Sequence, residues 1–384
     1  MAKFEFSNYA KIWSAREGRQ IVDMIMNESG LIKPNYTYWR ERFRVDPATT
    51  PVDQQGRATF TSTLRSITSG DLMDMRAPLA DTRQAEKPAE HYYTGMIPDF
   101  APAGFKETAL ERYYKEKEFE QFGDVAIVAR YATEEIQRMM DSANMTLSYL
   151  GAKVNSTGSL IYEMGEGIKS AIYKPAIPAT NFVKAGAKVW SDPDAKIITQ
   201  MIEIEKAKKD EWGVEMPMVW EISEAMFNSY FLGNAEVKEW VRFINNTNGI
   251  LLPEGYPMTA ELVEKALAQY PGLSPIVIAS EKQKDVTKGT VSGWKEGNAV
   301  LRPAGYVGYI RHANVLDKEI FEKYGNTVNS YNFTPVLGGL GTLLNSVCVN
   351  GNFKEWHTDL FVKAIPSLDE FLYHVVVDTT TANS

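Results

Sequence analysis

The chain has 384 residues, 44% of them hydrophobic and 23% charged, an ordinary globular balance with enough length for roughly two or three domain-sized units. Its formal charge of -8 argues against a protein that coats nucleic acid, because phosphate binding needs surplus Lys and Arg. The single cysteine, Cys348, allows no internal disulfide and suits a reducing cytoplasm. Met1 to Ser7 holds no apolar segment of signal-peptide length, and the longest apolar stretch, near Val336 to Leu344, falls short of the ~20 residues that span a bilayer.

Tyr9 to Asn27 reads as a helix bent at Gly18, with Ile12, Trp13, Ile21, Met24 and Ile25 on its apolar side. Gly30 and Pro34 stop it. Leu31 to Gln55 is aromatic, basic and punctuated by proline, and reads as an extended arm. Trp13, Tyr36, Tyr38, Trp39 and Arg40 are its candidate contacts with a neighbour, because Tyr and Trp are enriched at interfaces.

Ala58 to Pro102 is a long excursion. It leaves through the strand-like run Ala58 to Leu64 and returns through His91 to Ile97. The tip, Asp81 to Glu90, is charged and has no apolar stripe. So long a loop is uncommon in a compact domain and usually serves a function or a partner. An isolated hairpin is marginally stable in water, so this one should rest on a neighbouring copy. Arg76, Asp81, Arg83, Glu86, Lys87 and Glu90 are the candidate intersubunit residues.

Thr133 to Gly158 shows the strongest helical period, with Ile136, Met140, Leu147, Leu150 and Val154 on one narrow seam. Such a rod fits a helix lying across a thin sheet. Ile161 to Trp190 reads as strands and turns, and Asp194 to Lys209 as helix. An α/β unit follows, with a strand at Met216 to Trp220, helix at Glu221 to Leu232, and a helical or mixed piece at Val237 to Asn245. Thr259 is expected to cap Ala260 to Gln269. Strands are expected at Pro275 to Ala279, Asn298 to Arg302, Leu360 to Ile365 and Phe371 to Val377.

Little in the chain points to catalysis. The four histidines, His91, His312, His357 and His374, are not spaced as a zinc pair. His374 and Asp378 should share a strand face yet lie too far apart for a hydrogen bond. Gly338-Gly-Leu-Gly341 lacks the third glycine of a G-x-G-x-x-G run (Leu344 stands there), the Lys-Ser/Thr pair of a phosphate loop and a clear preceding strand, and reads as a turn. Asp192 and Asp194 are explained by a helix start at Ala195 more simply than by a metal. Glu163 and Glu166 are a conceivable acid–base couple, as in a carbohydrate-active enzyme. Exposed glutamates in a glycine-rich turn are the commoner case. Cys348 sits in an apolar run and reads as a small buried hydrophobe. No cofactor is expected.

The order of pieces resembles the major capsid proteins of tailed phages, with an α+β Hong Kong 97-type fold, and within them the lambda-like head protein E family. Local similarities are Ser66 to Asp71, Lys87 to His91, Met218 to Met226 and Ala364 to Phe371. The resemblance implies an N-terminal arm at 1–57, an E-loop at 58–108 and a peripheral domain with the spine helix at 109–210. It further implies an axial domain at 211–345 and returning strands at 346–384. It implies a shell of hexamers and pentamers enclosing double-stranded DNA without sequence-specific binding, built in the host cytoplasm and residing in the virion. Portal and scaffolding proteins would be separate chains, and decoration proteins are compatible with it. It carries over no catalytic residue and no membrane partner. An encapsulin-like cellular compartment is the alternative with the same fold.

Overall fold

The computed structural model describes residues 36–53, 57–65, 90–100, 103–111, 113, 114, 117, 125–164, 168–175, 177–213, 215–249, 252, 253, 255–285, 289–314, 328–350 and 353–382. The expected helix at Tyr9 to Asn27 lies outside them.

In chain order the first elements are α1 (Tyr38–Arg42), β1 (Phe43–Thr50), β2 (Ala58–Arg65), β3 (Glu90–Ile97) and β4 (Ala103–Glu107). Next come α2 (Val125–Thr157), β5 (Leu160–Met164), β6 (Ile168–Tyr173), β7 (Phe182–Ala185) and α3 (Ile197–Trp212). Then follow β8 (Met218–Ser223), α4 (Glu224–Met226, continuing as a π-helical turn, Phe227–Phe231), α5 (Ala235–Thr247) and α6 (Ala260–Leu267). After β9 (Ile276–Ala279) come β10 (Gln283–Asp285), β11 (Gly289–Val291), β12 (Asn298–Pro303) and β13 (Gly308–Ala313). The chain ends on β14 (Val328–Val336), β15 (Gly341–Asn350), β16 (Phe353–Val362), β17 (Ala364–Leu368) and β18 (Val375–Ala382). The fold is α+β.

The chain divides into two compact units. Unit 1 comprises Met1–Phe60, Met96–Leu150 and Tyr309–Pro366; unit 2 comprises Thr61–Gly95, Gly151–Gly308 and Ser367–Ser384.

Unit 1 holds two sheets. In one, the strand order is β1-β13-β17. There Arg311 donates through Nη1 to the Asp46 carboxylate, and His312 Nε2 lies 2.9 Å from the Asp46 carbonyl. The other sheet is an antiparallel meander, β14-β15-β16-β4, in which β15 and β16 pair without a break from Gly341↔Val362 to Asn350↔Phe353. Gly338 to Gly341 is therefore the hairpin tip between β14 and β15, and a strand does precede it. α2 begins at Val125 rather than Thr133, because its first turns are rich in Val and Ile and carry a weak helical signal. Met140 and Leu147 of its seam are buried and Leu150 is half-buried. The Ile136 side chain is outside the described set.

Unit 2 is organised by the five-stranded sheet β7-β18-β12-β8-β9. Side chains alternate across a strand, so each strand feeds two faces. One face carries Trp220, Ile222, Ala299, Leu301, Val375 and Val377. These pack in one apolar core with Ile198 and Met201 of α3, Phe227 and Phe231 of the π turn, Val237 and Val241 of α5, and Val263 of α6. Trp190 joins it edge-on to Phe231 at 6.1 Å between centroids.

Helix ends follow their local chemistry. Ser223 Oγ accepts from Met226 N at 3.1 Å and Asn234 Oδ1 from Val237 N at 3.1 Å. Thr259 caps α6 as expected. α3 runs past Lys209 to Trp212 and stops where Gly213 takes a left-handed φ of 62°. Ser223, as the cap, also corrects the expected boundary at Glu221. That glutamate belongs to β8 and is fully buried. Phe371 to Tyr373 is a short 3-10 turn, and the strand begins only at Val375.

Candidate assembly surfaces and their anchors

The hairpin strands β2 and β3 are neighbours in the sheet β2-β3-β6-β5, so the chain leaves at Arg65 and returns at Glu90 on adjacent strands; residues 66–89 lie outside the described residues. Arg76, Asp81, Arg83, Glu86 and Lys87 lie outside the described residues. Glu90 opens β3.

The root of the excursion is built in unit 2. Tyr93 of β3 is 4% exposed, and its hydroxyl donates to Asp369 Oδ1 at 3.1 Å. Its ring meets Tyr173 and Phe371 edge-on, at 5.8 and 5.1 Å between centroids. The Tyr173 hydroxyl accepts from Leu368 N at 2.8 Å and donates to Leu368 O at 3.0 Å. Aromatic residues in a strand that returns from so long an excursion suggest an interface. For Tyr93 the structure corrects that: the ring is spent inside its own unit, where it fixes the base of the hairpin.

The arm is corrected in the same way. Leu31 to Gln55 is not extended throughout: α1 (Tyr38–Arg42) is helical, and β1 (Phe43–Thr50) after it is extended. Tyr38 and Trp39 are buried, and Trp39 Nε1 donates to Asn144 Oδ1 of α2 at 3.1 Å. An indole that must bury its bulk and satisfy its N–H finds both on the chain's own helix. Tyr36 is half-buried and Arg40 exposed, with the guanidinium 4.8 Å from the Trp39 ring centroid. Trp13 lies outside the described residues.

The second anchor is the end of α2. A helix leaves its last carbonyls without intrahelical donors, and a buried end must find them elsewhere. Gly158, at a φ of 72°, returns its N–H to Val154 O at 2.8 Å. His374 Nε2 lies 2.8 Å from Asn155 O, and Asn298 Nδ2 donates to Ser156 O at 2.8 Å. Lys295 N donates to Ser156 Oγ at 2.9 Å. Beside this cap, Glu221 Oε2 accepts from Arg302 Nε at 2.6 Å and from Asn155 Nδ2 at 3.0 Å. Arg302 also donates to the carbonyls of Pro303 and Gly305.

Strand parity explains the assembly. The register pairs Val300 with both Glu221 and Val376, so Asn298, Val300, Arg302 and Glu221 share one face of the sheet, opposite the apolar core. The helix end lies against that face. Burial pushes the His374 imidazole down to about 4 against the opposing pull of the Asn155 bond; Arg302 adds to the depression and Glu221 resists it.

Sequence reasoning missed Glu221, Arg302, Asn155 and Asn298. Reading Glu221 as helical hid its parity with Arg302. The visible signal was a pair of opposite charges inside two otherwise apolar strands. His374 bonds to Asn155 rather than sharing a strand with Asp378.

Glu163 sits in β5, whereas Glu166 is outside the described residues. Asp192 and Asp194 both face Lys188, at 3.2 and 3.6 Å, and α3 starts at Ile197 rather than Ala195. His357 lies 3.6 Å from Glu355 Oε2, and Cys348 is in β15. Among the described residues no three His, Cys, Asp or Glu side chains converge as a metal site. No described helix is long and apolar enough to cross a membrane.

Several large apolar side chains are exposed. Leu110, Tyr113, Tyr114 and Phe353 are more than half exposed in unit 1, as are Phe182 and Phe243 in unit 2.

Solved phage capsid proteins resemble this chain. A prophage protein of Escherichia coli CFT073, described as a capsid protein, is 14% identical, with a TM-score of 0.48 over 94% of this chain and 98% of that one. The capsid of Ralstonia phage GP4 is 11% identical, with a TM-score of 0.42 over 92% and 93%. The capsid of cyanophage A-1(L) is 8% identical, with a TM-score of 0.48 over 84% and 88%. No protein-family model and no curated protein matches the sequence. At such identities a shared function does not follow from likeness alone.

Proposed function

We propose that the chain is the major capsid protein of a tailed phage, a Hong Kong 97-type subunit that self-assembles into a closed shell. The observation that carries this reading is the anchoring of the neighbouring strands β2 and β3, fixed through Tyr93 and Tyr173, on which the chain leaves at Arg65 and returns at Glu90. A firmly anchored strand pair, with a sequence charged at Asp81 to Glu90 between its strands, suits a limb that reaches another molecule. Closed symmetry multiplies such contacts, and obligate interfaces typically bury on the order of 2,000–5,000 Å². The exposed apolar side chains of both units supply surface for them.

In this reading the arm is 1–57, the E-loop 58–108, the peripheral domain 109–210, the axial domain 211–345 and the returning strands 346–384. Hexamers and pentamers build the head, which encloses double-stranded DNA. The acidic balance suits a wall that must not stick to its contents. Scaffold and portal are separate chains, and no residue has a catalytic role.

Negative-stain microscopy of the purified chain tests the proposal. Rings or cages are the expected particles. Deleting 81–90 should leave a folded protomer, with unchanged circular dichroism, that no longer forms them. A wild-type chain that stays monomeric at high concentration sinks the shell reading, and particles at full yield from the deletion sink the role of the loop.

A further inference from the structure

We propose that His374 is an acid-operated latch on the buried end of α2: the neutral imidazole holds the Asn155 carbonyl, and protonation frees the last turn of the helix from the sheet. This inference is independent of the shell reading, since every residue in it belongs to unit 2 of one chain.

The tautomer follows from the partner. A carbonyl only accepts, so the nitrogen 2.8 Å from Asn155 O, Nε2, carries the proton. Nδ1 then bears the lone pair of the neutral ring. A second proton would place a charge on a residue only 1% exposed, cut off from water.

The charged groups that act on the ring are Arg302 of β12 and Glu221 of β8; α2 brings the neutral Asn155. Arg302 repels an imidazolium. Glu221 would attract it, but its Oε2 already takes the Arg302 and Asn155 hydrogen bonds. The depressed imidazole, near 4, agrees with this geometry. Release would leave the apolar core on the other face of the sheet intact, because none of the latch residues belongs to it.

Hydrogen exchange read by mass spectrometry on the full chain, corrected for intrinsic exchange rates, tests the latch. Wild-type peptides covering 151–158 should lose at least about tenfold in protection between pH 7 and pH 4, the effect of one unit of pKa shift. His374→Gln keeps an N–H for the carbonyl and cannot titrate, so its protection should hold. Unchanged wild-type protection, or parallel loss in both proteins, overturns the proposal. Should the variant fail to fold, the ¹⁵N resonances of His374 in the wild type decide. A transition that coincides with helix-end exchange supports the latch, and one near 6.5 without it overturns it.

Discussion

The five-stranded sheet of unit 2 and the four-stranded meander of unit 1 use similar strands to opposite ends. In the first, β8 and β12 are buried on both faces, one by the apolar core and the other by the capped end of α2. In the second, residues 355–359 of β16 are only half-buried and Phe353 is 68% exposed. A sheet covered on both sides within its own unit is complete. Half-buried positions at 355–359 and an exposed Phe353 leave surface on β16 that another molecule could cover.

The contrast can be broken first at the buried ion pair. Arg302→Ala leaves the Glu221 carboxylate buried without its main counter-charge, and should cost about 3–5 kcal/mol in denaturant unfolding. A loss below about 1 kcal/mol would mean that the polar face is open to water.

Acid probes the same face. The folded His374 stays neutral down to about 4, whereas its unfolded form takes a proton near 6.5. The unfolded state therefore binds more protons in that window, and stability falls as the pH drops through it. The loss should approach about 3 kcal/mol and be absent in His374→Gln. Equal acid sensitivity of the two proteins would assign the effect to other groups.

Smaller effects belong to the meander and to the caps. Leu343→Ala, at a buried position of β15, should cost about 2 kcal/mol, at the low end for such truncations because nearby β16 positions are half-open and can relax. Thr259→Ala, which removes the cap of α6, should cost about 1 kcal/mol in thermal unfolding. Phe353→Ser should change protomer stability by less than about 0.5 kcal/mol. The same change should lower particle yield if the meander tip is an assembly contact. Normal yield would take Phe353 out of the interface.

Much of the secondary structure was legible because it rests on local chemistry. The hairpin strands, the seam of Met140, Leu147 and Val154, the Thr259 cap and the Asn298 strand follow from period and capping residues. The failures have two causes: local signals that were misread, and distant partners that outweighed local preference. Glu221 sits in a strand because Ser223 caps the helix after it. α2 starts early despite β-branched residues, and Trp39 and Tyr93 turn inward, where Asn144 and Asp369 accept their hydrogen bonds.

By itself the sequence determined the α+β alternation, the long polar excursion and the rod before the central unit, since each is written in spacing that a short stretch of chain enforces. Tertiary structure alone decided which aromatic side chains are buried at home and how the end of α2 is closed. Those outcomes depend on hydrogen-bond donors and acceptors far apart in the chain, and their pairing becomes visible only when the strands have taken their register.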